Sequence, residues 1–179
     1  MKKALILVVM LSLMLCLCTC GKPPEPPRPD YIKMMIDAAY SGDRDLGGRI
    51  EALMSRSQEN DSAVDFNELC TLSRFMRDAY GDMRYTDKLR LYAGAVVLNR
   101  MESTEYPDSM SEVISGMGYD TEEINSVQPR KTDIRLAMRL LRGEKVIDPS
   151  VVIISDTPPE EPYATFCDSL RGNVYFSRK

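Results

Sequence analysis

From Tyr31 onward the apolar positions of the chain recur at helical spacing. In YIKMMIDAAY, Ile32, Met35 and Ala39 share one face with Met34 and Ala38 beside them, and the SGD of residues 41–43 interrupts the pattern. Leu46, Ile50, Leu53 and Met54 define a second helix over about 44–57; Gly47 and Gly48 in its first turns either admit a close helix contact or weaken the start. The polar run SRSQENDSA is then a loop. Asp65 followed by Glu68 has the form of a capping box, and Phe66, Leu69, Cys70, Leu72, Phe75 and Met76 make the apolar side of the helix that it opens, ending near Gly81. A new start at Thr86 and Asp87 leads into KLRLYAGAVVLNRM, apolar nearly all round from Leu91 to Leu98, which belongs in the middle of a domain.

Pro107 breaks the chain, Ser109 and Glu112 form a capping pair for a short helix, and Gly116 stops it. Thr132 is placed to cap DIRLAMRLLRG, with Ile134, Ala137, Met138 and Leu141 on one face and Gly143 at its end. The period then changes. SVVIIS at 150–155 and GNVYFS at 172–177 predict two strands joined through a loop that carries TPPEEP. The expected class is α+β, mainly α, with a small C-terminal β-hairpin or sheet.

The N-terminal MKKALILVVMLSLMLCLCTCGK differs in kind. Two lysines precede a charge-free apolar run from Ala4 to Cys18, too short for a membrane span and of the form of a secretory signal. In LCTC, Leu17 stands three residues before Cys20 and the small Thr19 just before it, similar to a bacterial lipoprotein processing site with Cys20 as the lipidated residue, the alternatives being an uncleaved anchor or ordinary signal cleavage nearby. Five prolines between Gly21 and Asp30 make a stiff, extended tether. The organisation read from the sequence is a signal peptide at 1–19, a lipidated Cys20 and tether at 20–30, and one domain at 31–179. Lipid chains would hold the exported protein at the outer face of the cytoplasmic membrane.

Composition removes several chemistries. With 23 basic and 27 acidic side chains the net charge is −4, and losing the leader's two lysines deepens the excess of acid, so nucleic acid is not an expected partner. The chain has no histidine, which excludes Cys/His and Ser/His/Asp catalysis and the commonest catalytic zinc ligand. Beyond Cys20 only Cys70 and Cys167 remain, either as a disulfide or as two free thiols, without metal-binding spacing. No metal or cofactor is expected, and a monomer is.

One stretch is more specific. AGAVVLNRMESTEYPDSMSEVI, from Ala93 to Ile114, resembles the SleB-type cell-wall hydrolases, the spore cortex-lytic family, in which an apolar helix ending Val-Val-Leu-Asn-Arg is followed by Phe-Pro-Asp or Tyr-Pro-Asp and a short helix. LSRFMRDAYGD upstream, LAMRLLRGEKVIDPSVV and GNVYF downstream, and the early MIDAAYSGD, as in Firmicutes variants, extend the similarity over about 31–177. The resemblance implies a lysozyme-like helical domain acting on peptidoglycan glycan strands, commonly as a lytic transglycosylase. Such chemistry needs no metal and no histidine, since one carboxylic acid can serve as acid and then as base.

The family's acid lies in a motif of the form Leu-Ala-x-x-x-Tyr-Ala-Glu-Ala-x-Gly. Laid without gaps from Leu72, that motif puts Ala79 where the glutamate belongs and keeps the spacing to VVLNR. Pairing Asp78 with the glutamate needs a gap inside a helix, which rotates everything beyond it by about 100°. Asp78 is also one methylene shorter, and a displacement of about 1 Å can cost roughly a hundredfold in rate. Asp82, one turn further along a continued helix, is the other carboxylate candidate; nearby Arg74, Arg77 and Arg84 suit a solvated charged surface instead. The family's Gly-Gln-aromatic segment is altered as well, since Gly118 and Tyr119 have no glutamine between them. The resemblance therefore implies Asn99, Arg100 and Tyr119 as substrate-binding positions and Asp78 as the catalytic candidate. It leaves open an inactive relative that binds glycan or protein. Tyr80, Tyr85 and Tyr119 could stack on sugars, whereas Tyr92 reads as core.

Overall fold

Asp65 is extended at ψ 127° and its carboxylate accepts from the Glu68 amide at 2.8 Å, which satisfies one of the donors that a helix start leaves open. The helix so opened is the third of seven in a computed structural model that describes residues 29–56, 64–81, 87–168 and 172–179. In order these are α1 (Tyr31–Ser41), α2 (Arg44–Arg56), α3 (Phe66–Tyr80), α4 (Asp87–Glu102), α5 (Met110–Gly116), α6 (Thr121–Ser126) and α7 (Lys131–Leu141). Three strands follow: β1 (Val151–Ser155), β2 (Ala164–Asp168) and β3 (Gly172–Arg178). The protein is mainly helical with a small antiparallel sheet, and Tyr31–Lys179 forms one compact unit. The signal sequence, Cys20, Asp82, Arg84 and Tyr85 lie outside the described residues. Among the described residues no helix is long and apolar enough to cross a membrane.

The helix without a polar face takes the centre. Leu89, Ala93, Val96 and Val97 of α4 are buried, and α3, α5, α7 and β1 pack around it. Gly94 sets how near two of them come, because a Cβ there would lie 2.7 Å from Leu140 Cδ1 and 3.0 Å from Met76 Sδ. A second glycine works the same way: a Cβ on Gly47 would meet the Phe66 ring at 2.4 Å, whereas one on Gly48 would meet nothing within 4 Å. Of the two readings of this pair, close contact holds for Gly47 and not for Gly48.

The starts of α4 and α7 are tied by charge. Asp133 is fully buried and accepts from the Arg90 guanidinium, from the Arg130 backbone amide at 3.0 Å and from Arg130 Nε at 3.1 Å. Arg130 also donates to the Gly81 carbonyl at 3.1 Å, fixing the end of α3. These bonds move a predicted boundary. The cap of α7 is Arg130 rather than Thr132, because the Asp133 carboxylate reaches back to the Arg130 amide and sets the start one residue before Thr132. Ser109 does occupy the cap position of α5, but its side chain makes no capping bond.

Two elements exceed the sequence expectation. In α6, Asp120 accepts from the amides of Glu122 and Glu123, and Ile124 alone is buried, so six residues carry no readable period. The sheet has three strands in the order β1-β3-β2, both pairs antiparallel. The extra strand β2 pairs Phe166 with Val174 and Cys167 with Asn173. Phe166 and Phe176 meet edge to face with Tyr92, which is half-buried under the sheet. Cys70 is buried and Cys167 exposed, both as free thiols.

Candidate functional site

The end of α4 is stitched to the first strand by two consecutive polar side chains. Asn99 Nδ2 donates to the carbonyls of Asp148 and Val151, both at 3.0 Å, and Arg100 Nε donates to the Val152 carbonyl at 2.7 Å. These carbonyls approach a helix that already satisfies its own backbone, so side-chain donors must meet them. Successive helix residues point about 100° apart, and the two side chains consequently serve different walls. Asn99 borders a hollow of about 330 Å³ with Leu98, Leu140 and Ile147, while Arg100 borders a separate cleft of about 500 Å³.

That cleft is closed on another side by the last residue of α3 and by the turn after α5. Gly118, at φ +88°, takes the left-handed conformation that lets the chain reverse after Met117. Tyr119 is thereby carried toward Tyr80, and the two hydroxyls lie 3.3 Å apart, either able to donate. Phe75 stands edge-on to both rings, with centroids 6.5 Å from Tyr80 and 5.1 Å from Tyr119. Burial pushes both phenols above their ordinary ionisation range, so they are neutral donors and acceptors at physiological pH. For Tyr119 the hydrogen bond to Tyr80 works against burial, and the charge of Asp78 adds to it. The sheet side of the cleft consists of Ile154, Ser155, Asp156 and Val174.

Arg100 is half-buried, and desolvation lowers its pKa, partly offset by Tyr106. Its guanidinium carbon lies over the Tyr106 ring, 4.9 Å from its centre, a cation–π contact that helps to hold the side chain in place.

Of the residues picked from the sequence, Arg100 and Tyr119 come together in the cleft, and Asn99 does not join them. Asp78 is exposed on the outer face of α3, and Ala79 is half-buried against the core; neither lines the cleft. The residue of α3 that does is Tyr80. Ser155 and Asp156, the end of a five-residue strand and the residue after it, carried no signal in the sequence, because only tertiary packing draws them into a site. Among the described residues lining the cleft, Asp156 is the one carboxylate, and it is exposed. A glycosidase's general acid sits instead in an apolar pocket. Among the described residues, no group of three or more acidic or cysteine side chains could hold a metal ion. Set against protein-family models, curated proteins and solved structures, the chain finds no match in any of the three.

Proposed function

We propose that the protein is an envelope lipoprotein whose domain binds peptidoglycan glycan strands without cleaving them. The observation that carries this reading is the cleft of about 500 Å³, flanked by the paired Tyr80 and Tyr119 and by Arg100, with no carboxylate at position 79 and Asp78 turned to solvent. A cleft of that size suits a few sugar rings. Tyrosines offer an apolar face for stacking and a hydroxyl for hydrogen bonding, and their hydroxyls here stay protonated. Glycan cleavage needs an acid poised at the glycosidic oxygen, and the lining supplies none in an apolar setting.

The sequence supports the location through the leader, Cys20 and the proline-rich tether, which would keep the domain close to the membrane and facing the wall.

The reading is tested by incubating the purified domain, residues 31–179, with purified cell-wall sacculi. Co-sedimentation, weakened at least several-fold by Tyr119→Ala, supports it. Absence from the pellet defeats glycan binding, and soluble muropeptides released at high protein loading defeat the non-cleaving part.

A further inference from the structure

Arg100 is the half-buried cation that borders the cleft. Arg90 is paired with Asp133 and Asp87, Arg139 with Glu144, Lys145 with Glu102 and Arg178 with Asp148. Arg100 is half-buried and has no ion pair among the described residues; its one hydrogen bond uses Nε, on the Val152 carbonyl. A desolvated cation without a counter-ion is costly, and this one is held in place from two directions, by Val152 and by the Tyr106 ring. With Nε engaged, the edge carrying the two terminal nitrogens remains, and that planar fork matches the two oxygens of a carboxylate.

Resting on the glycan-binding reading, we propose that Arg100 gives the cleft a carboxylate subsite, so that it selects strands containing muramic acid over neutral N-acetylglucosamine polymers. The carboxylate has two sources in such strands, the lactyl group of the sugar when the peptide has been removed, and the peptide stem when it is present. Asp156 borders the same cleft and makes no ion pair with Arg100 among the described residues. It weakens the attraction for an anion and directs the carboxylate to the Arg100 side.

The experiment measures affinities of the purified domain for three probes: chitohexaose, peptide-free glycan strands with free lactyl carboxylates, and intact peptide-bearing strands. Wild type is expected to bind one or both carboxylate-bearing probes at least about tenfold more tightly than chitohexaose. The peptide-free strands report the lactyl source, and a preference confined to intact strands reports the stem peptide. Arg100→Gln, which keeps a donor for the Val152 carbonyl, should remove the preference, lowering affinity for the carboxylate-bearing probes at least about tenfold more than for chitohexaose. Arg100→Lys should keep part of it, and Asp156→Asn should strengthen it several-fold. Equal affinity of wild type for all three, or an Arg100→Gln loss shared equally by chitohexaose in a variant with unaltered melting temperature, overturns the subsite and leaves glycan binding standing. Failure to bind any probe removes the glycan reading itself. An Arg100→Gln variant that does not fold transfers the decision to Asp156→Asn, whose unchanged preference would then overturn the proposal.

Discussion

The hydroxyls of Tyr80 and Tyr119, 39 residues apart in the chain, meet at 3.3 Å in the wall of the cleft. Each is the only hydrogen-bonding partner of the other's hydroxyl among the described residues. Tyr119→Phe should therefore cost about 1–2 kcal/mol, since the nearly buried Tyr80 hydroxyl loses its partner while the ring contact with Phe75 is kept. Adding Tyr80→Phe should cost less than the sum of the two single changes. Urea denaturation of the three variants measures this, and strict additivity would show that the hydroxyls do not interact.

The two adjacent glycines of α2 should respond in opposite senses. Gly48→Ala enters open space and gains helix propensity, about 0.5–1 kcal/mol of stability. Gly47→Ala drives a methyl into the Phe66 ring and should lose about 1–3 kcal/mol as α2 and α3 separate. Thermal melts of the pair provide the comparison.

Asn99→Ala removes both donors that hold the Asp148 and Val151 carbonyls. A loss of about 1–3 kcal/mol is expected. Sugar affinity should be unchanged once the variant is folded, because Asn99 borders a different hollow. Reduced affinity without a change in melting temperature would place it at the ligand instead.

Burial, followed by the charges of Asp65 and Glu51, holds the Glu68 carboxyl above its ordinary value of 4.5. A carboxyl raised by folding stabilises the fold while protonated; its contribution is complete below the ordinary value and is lost as pH rises through the folded one. Glu68→Gln fixes the neutral form. It should raise stability near pH 7 by about 0.3 kcal/mol, the size of a like-charge pair one turn apart on an exposed helix, and change nothing near pH 3. Melting temperature against pH for both proteins gives the answer, and a gain that persists at pH 3 would point to a cause other than charge.

Cys167 should react with iodoacetamide in the native protein while Cys70, buried and with its thiol pushed up mainly by desolvation, stays unmodified until denaturant is added. Peptide mass spectrometry distinguishes the two, and a Cys70–Cys167 disulfide would appear as a single linked peptide.

What the sequence made legible and what it hid follow from range. The Asp65 cap lies next to the period it opens, and the all-apolar stretch of α4 announces a central helix without reference to any partner. The start of α7 was misplaced because its signal is reversed: the side chain three positions in, Asp133, captures the amide of Arg130, and arginine is not a residue that advertises a cap. β2 has four alternating positions, half-buried Ala164 and Phe166 with exposed Thr165 and Cys167, too few to stand out beside the prolines upstream. The site was legible in part. Arg100 and Tyr119 were picked from a resemblance and do share a cleft, but helix register decides whether position 78, 79 or 80 borders it, and register depends on which face the core claims. Asn99 looked equivalent to Arg100 because sequence adjacency hides the turn between their directions.

The strand made last is the one in the middle. β1 and β2 have no ladder with each other, and both wait for β3 before any of their pairings can form. Phe176, fully buried, arrives with it. A nascent chain synthesised as far as residue 171 therefore carries two strands without their shared template. The sheet side of the cleft, including Val174, cannot be finished ahead of its helical side. A domain built in this way keeps the faces of its first two strands open until its final segment is made.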